Sequence, residues 1–175
     1  MVHIVVRDSI EADMKAVRRI YAHYVLCGLG SFEEVPPSLV ELKRRRKQAL
    51  ALRLPFLVAE IDGAVIGYSY ATLFRERSAY RYTIEDSIYV DPRMTRKGAG
   101  RALLSTLIER CSAGGWRQMI AVIGDRNNVA SIALHQSLGF RMTGTLCSVG
   151  FKLGRWVDTV LMQRVLGSGD RTLPS

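Results

Sequence analysis

The sequence predicts a mixed α/β domain, a mostly antiparallel sheet flanked by helices on both faces. Three observations carry that prediction. Asp62-Gly63 sits between two β-rich runs and signals a two-residue hairpin. A second pair of β-rich runs closes the chain around Leu153-Gly154. Between them, a run ending at Val90 passes through a glycine-bearing loop into an amphipathic helix and then into a short apolar run, the pattern of a parallel crossover. The full order reads β-α-α-β-β-β-α-β-α-β-β.

Residues 4–7 are β-rich and short, a first strand. Asp13 is placed to cap a helix whose apolar residues Met14, Val17, Tyr21, Tyr24 and Val25 recur at helical spacing, and Gly28 and Gly30 end it. Pro36, Pro37 and a capping Ser38 open a second helix running to about Leu52. Strands follow over 56–61, 64–73 and 83–90, the last stopped by Asp91-Pro92. The next helix carries Leu103, Leu104, Leu107, Ile108 and Cys111 on one face and stops at Gly114-Gly115. Residues 119–123 are apolar without alternation, as in a buried strand. Residues 128–138 are helical, with Gly139 just past the end, and strands over 143–151 and 155–164 complete the fold. Residues 1–166 are expected to form one domain and 167–175 a flexible tail.

The chain of 175 residues is long enough to bury a core without disulfides or metal. With 48% apolar and 23% charged residues, it reads as neither disordered nor fibrous. No apolar run approaches the roughly 20 residues a membrane helix needs. The first residues lack the basic and long apolar regions of a secretory signal. Twenty-five Lys and Arg against 16 Asp and Glu give +9, a balance that points to nucleic acid, an anionic membrane or a phosphorylated small molecule. Cys27, Cys111 and Cys147 make no disulfide framework and no CxxC pair, and three scattered histidines make no zinc site. No metal is expected, and the compartment reads as reducing cytoplasm. The run Lys43-Arg44-Arg45-Arg46-Lys47 spreads around a helix and reads as a solvated face. No nucleic-acid motif accompanies it, so neither nucleic acid nor membrane is expected as a partner.

The most informative segment joins the strand ending at Val90 to the helix after Gly100. A Gly-x-Gly turn at a helix N-terminus lets main-chain N–H groups converge on a diphosphate, because side chains there would block the approach. Arg96, Lys97 and Arg101 add positive charge around Gly98, Ala99 and Gly100. The segment is not a Walker A loop, and the third glycine of the dinucleotide fingerprint is missing. It resembles the acetyl-CoA diphosphate loop of the GNAT N-acetyltransferases, Gln/Arg-x-x-Gly-x-Gly/Ala. Arg96-Lys97-Gly98-Ala99-Gly100 match the last five positions, while Thr95 departs at the first and removes one side-chain contact to the diphosphate.

Further blocks narrow the resemblance. Glu85-Asp86-Ser87-Ile88-Tyr89-Val90, Ala121-Val122-Ile123-Gly124, Asn128-Val129-Ala130-Ser131, Leu134-His135-Gln136-Ser137-Leu138-Gly139-Phe140 and residues 150–158 resemble the phosphinothricin/methionine sulfoximine acetyltransferase family. Ser31-Phe32-Glu33 and residues 74–80 extend the match, which covers residues 4–164. The resemblance implies the GNAT acyl-CoA N-acyltransferase fold and acetyl-CoA as co-substrate. It also implies a cytoplasmic homodimer that acetylates the free amine of a small amino-acid-like substrate.

Acetyl transfer to an amine requires loss of a proton, donors for the developing oxyanion, and alignment. Glu85 is the first candidate base and His135, on a helix between Leu134 and Leu138, the second. By resemblance, the amides of Ile88, Tyr89 and Val90 face the pantetheine arm, on a strand that splays from its neighbour. Asn128 both caps a helix and reaches the cofactor, and Ser137 touches it. Arg75, Glu76 and Arg77, with Glu85, Asp86 and Ser87, match family substrate contacts, and a guanidinium suits a carboxylate or phosphinate. Phe32 supplies a pocket wall and Glu33 a partner for the ammonium. No cysteine has the histidine partner a covalent route would need, which favours direct transfer. The alternatives are acetylation of another amine (a peptide N-terminus, a lysine, a polyamine) and a non-catalytic coenzyme A-binding module.

Overall fold

Asp62 and Gly63 both adopt positive φ, 49° and 76°, and so do Leu153 and Gly154, at 51° and 74°. That pairing belongs to the two-residue turn whose twist matches right-handed strands. These turns join β2 (Phe56–Ile61) to β3 (Ala64–Leu73) and β6 (Arg141–Lys152) to β7 (Arg155–Val165). The computed structural model describes residues 3–174, so Met1, Val2 and Ser175 of the expected domain and tail lie outside the described residues. With β1 (Val5–Asp8), β4 (Thr83–Val90) and β5 (Gln118–Gly124), seven strands among the described residues form one sheet in the order β1-β2-β3-β4-β5-β7-β6. Every neighbouring pair is antiparallel except β4 and β5. The helix α3 (Ala99–Ala113) makes that one parallel crossover. The mixed, mostly antiparallel α/β class is therefore observed.

Helices cover both faces. On one lie α1 (Met14–Cys27) and, packed beside it, α2 (Leu39–Ala51). Tyr21 and Tyr24 of α1 meet Tyr89 edge-on, and Tyr68 stacks on Phe56, Tyr70 and Tyr89 along the same face. On the other face α3 buries Leu103, Leu104, Leu107, Ile108 and Cys111, the stripe its spacing predicts. The Ser69 hydroxyl donates to the Leu103 carbonyl there. The last helix, α4 (Val129–Ser137), lies on this side too, since its His135 bonds Asp86 of β4.

Ser38 caps α2 as expected, its hydroxyl accepting from the Glu41 amide at 3.1 Å. Asp13 does not cap α1. A 3₁₀ turn over Glu11–Asp13 feeds the helix with Asp13 already in helical conformation. Its carboxylate turns back to accept from the Ile10 amide and pairs with Arg7. After β7, Leu166 is buried, and Arg117 donates to the Gly169 and Leu173 carbonyls and the Thr172 hydroxyl.

Candidate active site

The site is set by where a ladder stops. Thr83 to Asp86 of β4 run beside Gln118 to Ala121 of β5, and pairing ends there. The next four residues keep their antiparallel partners on β3 alone, Ser87 with Tyr70 through Val90 with Gly67. The Phe74 amide donates to Thr83 and the Asp91 amide to Ile66. By the two-residue alternation of an antiparallel ladder, these bonds turn the amides of Glu85, Ser87 and Tyr89 toward β3, and those of Ile88 and Val90 toward the gap. The expected splay is present, and it presents two of the three expected amides. The Tyr89 amide belongs to the β3 ladder.

The gap opens into a cavity of about 720 Å³ lined by residues from both faces of the sheet. One wall is the loop entering α3. Arg96 and Gly98 take positive φ, 61° and 91°, and the first intrahelical bond runs from the Ala102 amide to the Gly98 carbonyl. The amides of Ala99, Gly100 and Arg101 are thus free of intrahelical partners at the positive end of a 15-residue helix. A side chain on Gly100 would crowd Leu134, its Cβ 3.3 Å from Cδ2. Thr95 turns its hydroxyl back to the Pro92 carbonyl. Arg96, Gly98, Ala99 and Gly100 line the cavity, whereas exposed Lys97 and Arg101 stand outside its wall. Arg101 donates to the Ser137 hydroxyl, which itself donates to the Leu134 carbonyl on the surface. Asn128 lines the cavity and caps α4, its Oδ1 accepting from the Ser131 amide.

Glu85 sits on the α1 side of β4, partly buried, and its carboxyl accepts no hydrogen bond among the described residues. Burial pushes its pKa up to about 7; the neighbouring Asp86 charge adds to the rise and Arg75 opposes it. That value lets the group take a proton near neutrality. Ser87, Phe32 and Glu33 share the wall. Glu33 is already engaged, accepting from the Tyr21 hydroxyl at 2.9 Å and pairing with Arg45 at 2.6 Å. Arg75, Glu76 and Arg77 are exposed on the loop between β3 and β4 and are not part of the cavity wall. Arg75 packs over the Phe74 ring, 4.9 Å from its centroid.

Asp86 and His135 meet on the opposite face of β4 from Glu85. His135 is 2% exposed, with Nδ1 donating to the Ser131 carbonyl at 2.7 Å and Nε2 bonded to Asp86 Oδ2 at 3.0 Å. Burial works against its charge, but the Asp86 hydrogen bond, the carboxylate's charge and the Ser131 carbonyl together hold its pKa above the usual value. Both ring nitrogens are engaged, and the expected substrate contact Asp86 is committed to this pair. Two residues behind the amine-side loop had no role assigned from the sequence. Arg45, from the run read as solvated, reaches Glu33. Lys152, 2% exposed, donates to the Ser31 carbonyl at 2.6 Å and the Tyr24 carbonyl at 3.3 Å. In the sequence Arg45 is marked only by a basic run, and Lys152 only by its place in the block 150–158.

A helix-terminal amide cradle thus opens beside a strand that parts from its parallel neighbour and carries a partly buried carboxyl. The chain belongs to the acetyltransferase (GNAT) family, whose model matches residues 17–140. It is 56% identical over 170 residues to the phosphinothricin N-acetyltransferase of Alcaligenes faecalis, covering 97% of this chain and 85% of that one. It is 38% identical to the L-methionine sulfoximine/L-methionine sulfone acetyltransferase of Salmonella typhimurium over 158 residues, 90% of this chain and 92% of that one. The crystal structure of a phosphinothricin acetyltransferase from Sinorhizobium meliloti in complex with acetyl-CoA superposes with a TM-score of 0.95 at 48% identity, over 98% of this chain and 93% of that one. The protein is an acetyl-CoA-dependent N-acetyltransferase. Among the described residues no group of three or more His, Cys, Asp or Glu is placed to hold a metal, and no helix is long and apolar enough to cross a membrane.

Proposed function

We propose that the protein transfers the acetyl group directly, in a ternary complex, to the free amine of a small amino-acid-like substrate of the phosphinothricin or methionine sulfoximine type. The observation that carries this reading is one cavity lined both by the part of β4 that has left β5, with its two unladdered amides, and by Glu85 from the paired part before it. Acetyl-CoA supplies the activated acyl group. Glu85 takes the proton from the substrate ammonium, freeing the lone pair that attacks the thioester. The amides of Ile88 and Val90 donate to the oxygen on which negative charge develops; collapse of that intermediate breaks the C–S bond, and coenzyme A leaves as a thiol, taking up the proton that the new amide nitrogen sheds. The amides of Ala99, Gly100 and Arg101 hold the diphosphate, with Arg96, Lys97 and Arg101 adding charge and Gly98 supplying the left-handed turn. Asn128 keeps its amide nitrogen for the cofactor while its oxygen caps α4. Ser137 acts through Arg101. His135 holds Asp86, and through it β4, rather than serving as a second base.

Phe32 and Ser87 shape the amine side, and Arg75 at the mouth attracts the substrate's anionic group, with Glu76 and Arg77 beside it. Relatives named for phosphinothricin and methionine sulfoximine support this substrate class. Direct transfer is supported by the cysteines: none lines the cavity, and burial pushes the Cys111 thiol up to about 12. We also propose a homodimer in the cytoplasm. β6 is an edge strand exposed along most of its length, with Met142, Leu146, Val149 and Phe151 open to solvent and Trp156 beside them on β7. A second copy would cover such a face.

The test is release of free coenzyme A thiol from acetyl-CoA across a panel of amines. Turnover with methionine sulfoximine, methionine sulfone or phosphinothricin is expected, and none with polyamines. Turnover confined to a peptide N-terminus or lysine would replace the substrate reading. Tight coenzyme A binding with no acceptor at all would make the protein a non-catalytic module.

A further inference from the structure

The loop after α1, residues 28–33, carries Ser31, Phe32 and Glu33 to the amine side of the cleft. Three elements hold it from outside. Gly124 of β5 passes so close that a Cβ there would overlap the Leu29 carbonyl. Gly150 of β6 lies under the Phe32 ring, where a Cβ would stand 2.5 Å from Cε1. Tyr21 of α1 hydrogen-bonds the Ser31 hydroxyl at 2.8 Å and Glu33 at 2.9 Å. The fourth tie is Lys152, at the tip of the β6–β7 hairpin, whose ammonium bonds one carbonyl at the end of α1 and one inside the loop.

Lys152 is an expensive way to fill that space. No carboxylate lies within salt-bridge distance of it among the described residues, and burial lowers its pKa although the charges of Glu34 and Glu33 oppose the fall. An uncharged chain of similar length would pack there without the desolvation cost. What the ammonium adds is direction: one donor group reaches a carbonyl in the last turn of α1, at 3.3 Å, and one in the loop that follows it, at 2.6 Å. The same hairpin presents the exposed apolar residues Phe151, Leu153 and Trp156 on its outer side.

We propose that Lys152 is a positioning residue for the amine substrate: its buried ammonium fixes the 28–33 loop in the cleft wall and ties amine binding to the placement of the β6–β7 hairpin. The proposal rests on the reading of the cleft given above. Its direct effect is on the amine side, because the ammonium bonds α1 and the 28–33 loop, whereas the acetyl-CoA cradle is built on α3, α4 and β4.

The experiment compares wild type with Lys152→Met and Lys152→Arg. Apparent KM is measured for methionine sulfoximine, Kd for acetyl-CoA, and hydrogen exchange of the amides of residues 29–33. For Lys152→Met the amine KM is expected to rise about tenfold or more, since small misplacements of a positioning wall cost that much. The loop amides are expected to exchange faster than those of β2 and β3, with acetyl-CoA affinity unchanged within about twofold. Lys152→Arg, which keeps the charge and the donors, is expected to recover most of the amine KM. Unchanged loop protection and amine KM in Lys152→Met overturn the proposal, and so does a parallel loss of acetyl-CoA affinity. Should Lys152→Met fail to fold, Gly150→Ala presses on Phe32 without touching the charge. A selective rise in amine KM then supports the coupling, and an unchanged KM overturns it. If wild type acetylates no amine, the functional reading fails, and the exchange comparison still decides whether the loop depends on Lys152.

Discussion

Glu85→Gln removes the titratable group and keeps its shape, which makes it the sharpest perturbation of the proposed chemistry. The ordinary glutamate value of 4.5 is raised to about 7 by burial, with Asp86 adding to the rise. A general base with that pKa is about nine-tenths ionised at pH 8 and about one-tenth at pH 6, so wild-type kcat/KM should fall about tenfold over that interval. In Glu85→Gln the fall should vanish, and the rate at pH 8 should drop by about 10² to 10⁴, the usual contribution of a positioned base. The same shift fixes a stability effect of defined sign. The folded chain holds this proton more tightly than the unfolded chain. The stabilising contribution is therefore complete below pH 4.5 and is lost as pH rises through about 7. Ionised Glu85 then costs the fold at most about 3 kcal/mol, less in practice because the side chain is partly solvated. Glu85→Gln should accordingly melt several degrees above wild type at pH 8 and show little gain at pH 5. The assays are initial rates of coenzyme A release from pH 5.5 to 9 and thermal melts at the two pH values. A variant that keeps both its rate and the acidic limb would refute the base assignment; one that melts lower at pH 8 would refute the burial argument.

Three further outcomes are expected. Gly98→Val, which forces a β-branched residue into φ 91°, should raise the acetyl-CoA KM more than tenfold while leaving the amine KM nearly unaltered, as separate titrations would establish. His135→Ala leaves Asp86 buried without its partner, and chemical denaturation should find a loss of about 3 to 5 kcal/mol. Because the folded pKa of His135 is raised, that pair stabilises most at low pH and less as pH climbs through the folded value, so the loss should be larger at pH 6 than at pH 9. Phe151→Glu, placing a charge on the exposed face of β6, should shift the protein from dimer to monomer in light scattering.

Local chemistry was legible in the sequence wherever it acts over a few residues. The Asp62-Gly63 turn, the Ser38 cap, the apolar stripe of α3 and the glycine turn before it all depend on neighbours in the chain, and all are where the spacing put them. Failures came where partners are distant. Asp13 has the residue type of a cap, but Arg7 and the Ile10 amide compete for its carboxylate. Arg45 looked like one of five solvated cations until the loop brought Glu33 to it. Glu85 and Asp86 are adjacent in sequence yet face opposite sides of the sheet, so only one can meet an amine on the α1 side. That alternation could have been read from the strand itself. The end of the β4–β5 ladder at Asp86 and Ala121 has no sequence signal, because it depends on how the two strands diverge in space.

The most direct measurement is a crystal structure of the protein with acetyl-CoA bound. The expected result is the diphosphate on the amides of Ala99, Gly100 and Arg101, and the thioester carbonyl within hydrogen-bond reach of the Ile88 or Val90 amide, on the side of β4 open to Glu85. Density for the diphosphate away from the start of α3, or an acetyl group shut off from Glu85 by the sheet, would contradict it.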